Sequence, residues 1–382
     1  MFRFRSRLRS LDWILRQQFS RLLRVAVIGT PLNWSNYVLH QLEKEGAPDE
    51  VDLGVPSWRV SEVVRSVDVV EKSSEIRIPV PGGEPNVEQL QWPDLRIREL
   101  ANVSMDVDSG LVFARDRVVG QPGTWNRNSR DAAFISGAYA RYQRAKQSSS
   151  AKFSAGVTPL GDTSHFYHFL IETLPRALHT RRLFPDVTFL TSQSATGASR
   201  ELIDLLGINV ELLPRSTVVS GPRVILSDPP IRFWPRRTDL EAIRDEVFAL
   251  QDGVEDLGLP LYVSRANSSR SMENEKYLSE ALGRIGVRTV YLEELAFLDQ
   301  LSLIRQASTL IGAHGAGLAN VAWMAPGARL IELSSGDRFE ACYRRMAHVL
   351  ELKYDFVQVP GSATSPFGDV TPSVVERIER LL

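Results

Sequence analysis

Gly312-Ala313-His314-Gly315-Ala316-Gly317-Leu318-Ala319-Asn320 decides how the second half of this chain folds. The stretch follows a short apolar run at 309–311, which has the character of a strand, and leads into a predicted helix over 318–324. A glycine-rich turn between strand and helix is a place to hold phosphate. Without Cβ atoms the backbone approaches closely, and the first turn of the helix offers free N–H groups. The partial positive charge there adds about 0.3–1 kcal/mol per anionic group. His314, inside the turn, supplies a further hydrogen bond or charge.

Around this turn the pattern alternates. Strands are predicted at 261–263, 287–291, 309–311, 329–333 and 354–359, and helices at 273–284, 294–306, 338–350 and 371–382. Regular β/α alternation implies an α/β fold with a parallel sheet covered on both faces. Ligands bind such sheets at the carboxyl ends of the strands, which is where the glycine turn lies. Further upstream, strands are expected at 153–160, 187–190 and 210–213, with helices at 164–183, 198–206 and 238–250. A polar, proline-rich stretch at 228–237 precedes the last of these, and 253–260 reads as a hinge. Residues 97–120 read as paired strands turning near 106–110, and 131–146 as a helix. The stretch 25–95 reads as irregular, apart from a strand at 25–28 and a helix at 35–45.

The chain has 382 residues, 43% apolar and 24% charged, which suits a globular protein of two domains. A net charge of −1 gives no reason to expect a nucleic-acid partner. The single cysteine, Cys342, excludes an internal disulfide and fits a reducing compartment. No apolar run reaches ~18 residues, so no membrane span is expected. Charges interrupt any apolar core near the start, which therefore does not read as a signal peptide. Residues 1–24 hold seven arginines and one acid, Asp12, with apolar residues at helical spacing. This basic amphipathic helix has the composition for docking on an anionic membrane surface.

Two further segments carry chemistry. Tyr262-Val263-Ser264-Arg265 is followed by Arg270, Asn274 and Glu275 in a polar loop between strand and helix. Arginine forks suit phosphate oxygens, and Asn274 or Ser271 can cap the helix with Glu275 in its first turn. The other segment is a helix on which His165, His168, Glu172, Arg176 and His179 fall at steps of 3, 4, 4 and 3, lining one face. Imidazoles beside a carboxylate can do acid–base work. Zinc is a weak alternative because the His-Glu-x-x-His spacing is absent. Pro175 is expected to kink or restart this helix. Asp106-Val107-Asp108 has the Asp-x-Asp form of some metal–nucleotide sites, in a turn where aspartate is common anyway. Glu332, near the end of its strand, is placed to accept from a ribose diol.

Taken together, the blocks 167–176, 262–275 and 312–333 resemble glycosyltransferase family 61. The carrying residues are Tyr167-His168-Phe169-Leu170-Ile171-Glu172-Thr173-Leu174-Pro175-Arg176, the Tyr262–Arg265 block with Arg270, Asn274 and Glu275, and the glycine turn with Pro326-Gly327 and Ile331-Glu332-Leu333. The resemblance implies a GT-B-like architecture, two Rossmann-like domains facing across a cleft. On this reading 1–24 is the basic helix, 25–250 the acceptor-side domain, 251–365 the nucleotide-sugar-binding domain and 366–382 a C-terminal helix. It also implies an inverting transfer from a nucleotide sugar, UDP-linked by preference, to a glycan or lipid-linked acceptor. Positive groups in place of a metal would take the leaving diphosphate, so no cofactor is expected. Arg265, Arg270, His314 and the backbone of Gly315, Ala316 and Gly317 would lie near phosphate. Asn274, Glu275, Asn320 and Glu332 would complete the donor side. Inversion needs a base for the acceptor proton; His168 or Glu172 is favoured, with Asp162 as an outside candidate. His165 and Arg176 would lie on the acceptor side.

The lack of a secretory or anchoring segment and the lone cysteine suggest surface polysaccharide synthesis in a bacterial cytoplasm, and the basic N-terminal helix would suit a lipid-linked acceptor at the inner membrane face. The rival readings are a non-catalytic nucleotide- or glycan-binding module, a nucleotide-sugar epimerase or NAD-dependent oxidoreductase, and a metal hydrolase. For NAD the glycine turn belongs after the first strand of its fold, whereas here it follows the third. The membrane expectation is checked by flotation with anionic liposomes: full-length protein should float, and protein lacking residues 1–24 should not.

Overall fold

The computed structural model describes residues 62–67, 73–78, 86–91, 95–101, 103–114, 117–120, 137–145, 151–152, 156–195, 197–221, 223–227, 235–251, 258–268, 271–335, 341–361 and 368–382. The expected basic helix at 1–24, the strand at 25–28 and the helix at 35–45 lie outside them, as does Arg270.

The stretch read as irregular contains strands β1 (Glu62–Val67), β2 (Ser73–Ile78) and β3 (Asn86–Gln91), followed by β4 (Leu95–Leu100). β5 (Val103–Asp106), β6 (Val112–Ala114) and β7 (Arg117–Gly120) then form the expected paired strands. Gly110 closes their turn at φ 68°, a conformation that favours glycine. β8 (Ala151–Lys152), β9 (Val157–Pro159), β10 (Thr188–Thr191), β11 (Val210–Leu212), β12 (Val218–Gly221) and β13 (Val224–Ser227) complete the first half.

These strands make one six-stranded sheet, in the order β1-β4-β13-β9-β10-β11, and a five-stranded sheet, β7-β6-β5-β12-β8. β13, β9, β10 and β11 run parallel, while β4 is antiparallel to β1 and to β13. The first half is therefore mixed α/β and departs from the simple Rossmann-like alternation expected of it. β12 and β13 carry no legible sequence signal. All four residues of β13 are buried, so the apolar/polar alternation that marks a half-exposed strand is missing.

In the second half, β14 (Leu259–Val263), β15 (Arg288–Val290), β16 (Ala307–Ala313), β17 (Arg329–Ser334) and β18 (Lys353–Gln358) form a wholly parallel sheet, order β15-β14-β16-β17-β18. Pro260, expected in a hinge, lies within β14. Side chains alternate between two cores. Tyr262, Ile311, Ala313, Ile331 and Leu333 join Leu278 and Leu282 of the helix Glu275–Arg284 and Val374 and Ile378 of the helix Pro372–Glu379. Leu261, Val263, Leu310 and Leu330 face the other way, toward the helices Phe297–Arg305 and Cys342–Val349. Both faces are thus covered, as the alternation implied.

That second core runs on into the first half. It includes Leu174 and Leu178 of the helix Leu174–Leu183 and Leu240 and Ile243 of the helix Arg237–Phe248. Trp323 is 1% exposed and meets Phe297 and Phe248 edge-on at 5.7 and 6.4 Å. Beside it Arg244 donates from Nε to the Ala322 carbonyl and from Nη2 to the Met324 carbonyl, each at 2.6 Å. Burial lowers its guanidinium pKa to about 10, against the opposing pull of Glu241. Arg244→Met keeps the stem and strands two carbonyls. It should cost about 1–3 kcal/mol, read as a lower urea midpoint.

Candidate active site

β16 runs through Gly312 to Ala313, longer than expected, and His314 extends the ladder by donating its N–H to the Leu333 carbonyl at 2.8 Å. Leu318 folds back over Gly312, where a Cβ would come 2.8 Å from Leu318 Cδ2. The segment after the turn, Ala316–Trp323, is a 3-10 helix where an α-helix was expected. Asn320 holds that helix together. Its Nδ2 donates to the Gly317 carbonyl at 3.0 Å, and its Oδ1 accepts from Trp323 Nε1 at 3.1 Å. At 2% exposure it is a buried brace.

Arg265 presses on the turn. Its Nη1 donates to the His314 carbonyl at 2.5 Å, and a Cβ on Gly315 would lie 1.7 Å from Nη1. Gly315 is extended (φ 160°, ψ 172°), so this contact, and not the backbone angle, requires glycine. The Gly315 carbonyl in turn accepts from Tyr343 Oη at 2.6 Å and from the Leu318 N–H at 2.9 Å. A trans peptide points its N–H opposite its carbonyl. With the carbonyls of His314 and Gly315 tied down, the N–H groups of Gly315 and Ala316 face the other way. Among the described residues, the N–H groups of Gly315, Ala316 and Gly317 donate to nothing.

Beneath Arg265 lies Glu275, 6% exposed. Its Oε1 accepts from Tyr262 Oη at 2.9 Å, Ser264 Oγ at 2.7 Å and the Arg265 N–H at 2.5 Å. Burial, and then this neighbouring carboxylate, push the Tyr262 phenol well above its ordinary pKa, so it stays a donor. Glu275 therefore shapes the loop from below. Asn274 stands at the cap position with φ 59°, but its Nδ2 goes to Asp369 Oδ1 at 2.5 Å and its side chain caps nothing.

Glu332 is also placed differently from the expected ribose contact. It is fully buried, and both oxygens are occupied. Oε1 lies 2.5 Å from His314 Nδ1, and Oε2 accepts from Tyr354 Oη at 2.8 Å. Burial and then Glu332 hold the Tyr354 phenol far above its usual range. His314 is thus anchored from behind, and its Nε2 has no partner among the described residues.

The other wall is the helical segment from 166 to 183. It opens as Phe166–His168, widens to a π-helical turn over Phe169–Thr173, and resumes as Leu174–Leu183. The Leu174 N–H reaches the Phe169 carbonyl, five residues back. Pro175 explains the widening, because its ring clashes with the carbonyl four residues earlier in a regular helix. One extra residue per turn rotates all that follows by about 100°, and this breaks the expected single stripe. His168 Nδ1 and Glu172 Oε1 pair at 2.8 Å on the partly open side. Arg176 instead turns inward, its Nε donating to Ser227 Oγ at 2.8 Å, and His179 pairs with Asp239 at 2.9 Å. Both are buried. His165 is largely exposed, its Nδ1 beside Ser164 Oγ at 2.9 Å and Asp162 Oδ2 at 3.3 Å. Burial alone would raise the Asp162 carboxyl, but hydrogen bonds from Ser164 and the neighbouring His165 outweigh it and hold the pKa low. A carboxylate held this way is a weak base.

Tyr343, 2% exposed, joins the two walls. Its ring meets Tyr167 edge-on at 5.4 Å and His314 edge-on at 5.2 Å. Sequence reading missed Tyr343 and Tyr354 because their partners are 28 and 22 residues away. Asp106 and Asp108 lie apart from these contacts. Asp106 is fully buried and accepts from Arg141 Nε and Nη2 at 2.6 and 2.8 Å and from the Ser109 N–H at 3.0 Å, a locked turn.

Residues 166–331 match the family model described as Glycosyltransferase 61. An EGF domain-specific O-linked N-acetylglucosamine transferase of Drosophila melanogaster is 33% identical over 96 residues, 24% of this chain and 18% of the relative. The Bos taurus protein of the same description is 32% identical over 98 residues, 24% and 18% of the two chains. Beta-1,2-xylosyltransferase RCN11 of Oryza sativa subsp. japonica is 28% identical over 99 residues, 24% and 19%. The chain thus spans under a fifth of the length of the curated relatives it matches.

Gly315→Ala must displace the Arg265 guanidinium, whereas at Gly317 a Cβ would come no closer than 3.3 Å to Val263 Cγ1. Gly315→Ala should cost about 1–3 kcal/mol as an overpacking change, and Gly317→Ala less. Paired denaturant titrations check the order.

Proposed function

We propose that this chain, which matches the Glycosyltransferase 61 family model over residues 166–331, transfers a sugar from a nucleoside diphosphate to a glycan acceptor with inversion. The observation that carries this reading is the glycine turn. Three backbone N–H groups without acceptors among the described residues, a guanidinium lying on Gly315 and an imidazole anchored from behind are gathered at the carboxyl edge of a parallel sheet. That is a place for negative charge to develop. The family matches favour a transferase over the oxidoreductase and binding-module readings.

In the proposed reaction the acceptor oxygen bonds to the anomeric carbon as the bond to the diphosphate oxygen breaks. The acceptor proton passes to His168, whose Nδ1 is held by Glu172. The bonding electrons leave with the nucleoside diphosphate, received by Arg265, His314 and the amides of Gly315–Gly317. No resident metal or cofactor is invoked. The two halves act as the donor and acceptor sides of a GT-B-like cleft, with Tyr343 between them. The relatives' names pair the family with N-acetylglucosamine and with xylose, so UDP-N-acetylglucosamine and UDP-xylose head the donor list. The lipid-linked acceptor suited to the basic N-terminus stands beside the glycan acceptors those names indicate.

Nucleotide release from UDP-, GDP-, CMP- and dTDP-sugars tests the reading. One donor should be hydrolysed slowly by the wild type and not by Arg265→Ala or His314→Ala. With an acceptor present, His168→Ala should lose about 10²–10⁴-fold in rate, the ordinary worth of a general base. Glu172→Gln should lose less, and Asp162→Asn should stay near wild type. A fully active His168→Ala would remove the base assignment, and release from none of the donors would remove the reading.

A further inference from the structure

The charge arrangement behind His314 goes beyond binding a phosphate. Glu332 is fully buried, and among the described residues its oxygens are satisfied by His314 Nδ1 and Tyr354 Oη. A buried carboxylate needs a compensating partner, because its desolvation is costly. A hydrogen bond to one ring nitrogen fixes which atom the other face of the ring presents. With Nδ1 committed to Glu332, His314 presents Nε2, which has no partner among the described residues, on a side chain 15% exposed.

Opposite charges meet at this ring. The Glu332 carboxyl group lies behind it at Nδ1, and the Arg265 guanidinium is bonded to the carbonyl of His314 itself. Tyr343, against the ring from the helix Cys342–Val349, and Tyr354, on β18 behind Glu332, are neutral phenols. Arg344 lies over the Tyr354 ring at 4.9 Å, one group further out, and Tyr167 lies beyond Tyr343. A diphosphate in front of Nε2 would add negative charge on the side away from Glu332, and a doubly protonated ring would bridge the two.

We propose that Glu332 and Tyr354 are positioning residues that make nucleotide binding proton-linked, with His314 taking up a proton at Nε2 as the diphosphate enters. The inference rests on the donor-site reading above and assigns Glu332 a role in place of the expected ribose contact. The reaction is one of charge matching. A proton from solvent joins Nε2, and the imidazolium so formed lies between the Glu332 carboxylate and the diphosphate. When the diphosphate leaves, the proton returns to solvent.

Isothermal titration calorimetry of the full chain with UDP, GDP and dTDP tests this, each run at pH 8 in two buffers of different ionisation enthalpy. At that pH the phosphates carry their full charge, since the last phosphate proton leaves near pH ~6. The wild type should bind one nucleotide with net proton uptake. Glu332→Gln, which keeps the size and an acceptor oxygen, should bind more weakly and without uptake. Tyr354→Phe serves as the second variant should Glu332→Gln fail to fold, and it should show reduced uptake. Binding without uptake by the wild type would overturn the proposal and leave the donor site standing. Uptake unchanged in the variants would overturn the roles of Glu332 and Tyr354. No binding of any nucleotide by the wild type would overturn the donor-site reading, and this inference with it.

Discussion

The guanidinium of Arg265 lying on the bare Cα of Gly315 is the contact on which the site depends. It ties the loop after β14 to the turn after β16, and it holds the His314 carbonyl so that the following amide faces outward. Everything around it serves that contact. Glu275 fixes the backbone of Arg265 from below, and Tyr343 takes the next carbonyl along the turn. Remove the glycine and the guanidinium has nowhere to lie. The Cβ-free position is required by packing, not by an unusual backbone angle.

The helical wall at 166–183 depends on a different constraint, a proline in a helix. Pro175 forces the wide turn at Phe169–Thr173, and the wide turn splits a row of polar residues into two groups. His168 and Glu172 stay accessible, while Arg176 and His179 rotate into the core and bond Ser227 and Asp239. The same rotation keeps Leu174 and Leu178 inside, where they share one core with β14, β16 and β17. A backbone irregularity thus sorts catalytic candidates from structural ones.

Buried carboxylates recur in this protein, and each is occupied differently. Asp106 is closed by Arg141 and its own turn, Glu275 gathers donors from β14 and the loop after it, and Glu332 sits between His314 and Tyr354. Only the last has a ring whose far nitrogen is open. That difference separates a carboxylate that shapes the fold from one that can communicate with a ligand.

The parallel sheet of the second half was legible in the sequence because its helices are amphipathic, its strands are short apolar runs, and the two alternate. The glycine turn was legible too, since glycine, strand and helix are neighbours in the chain. β13 was not, because a strand buried on both faces has no period, and neither were β12 nor the register of the helix after Pro175. The roles of Glu332, Asn320 and Asn274 depended on distant partners: Tyr354 and His314, Trp323, and Asp369. Local order in the sequence determined which elements exist and which residue types stand at the strand ends. Which of those residues face a ligand, and which are consumed in holding the others, was decided only when long-range packing brought their hydrogen-bond partners together.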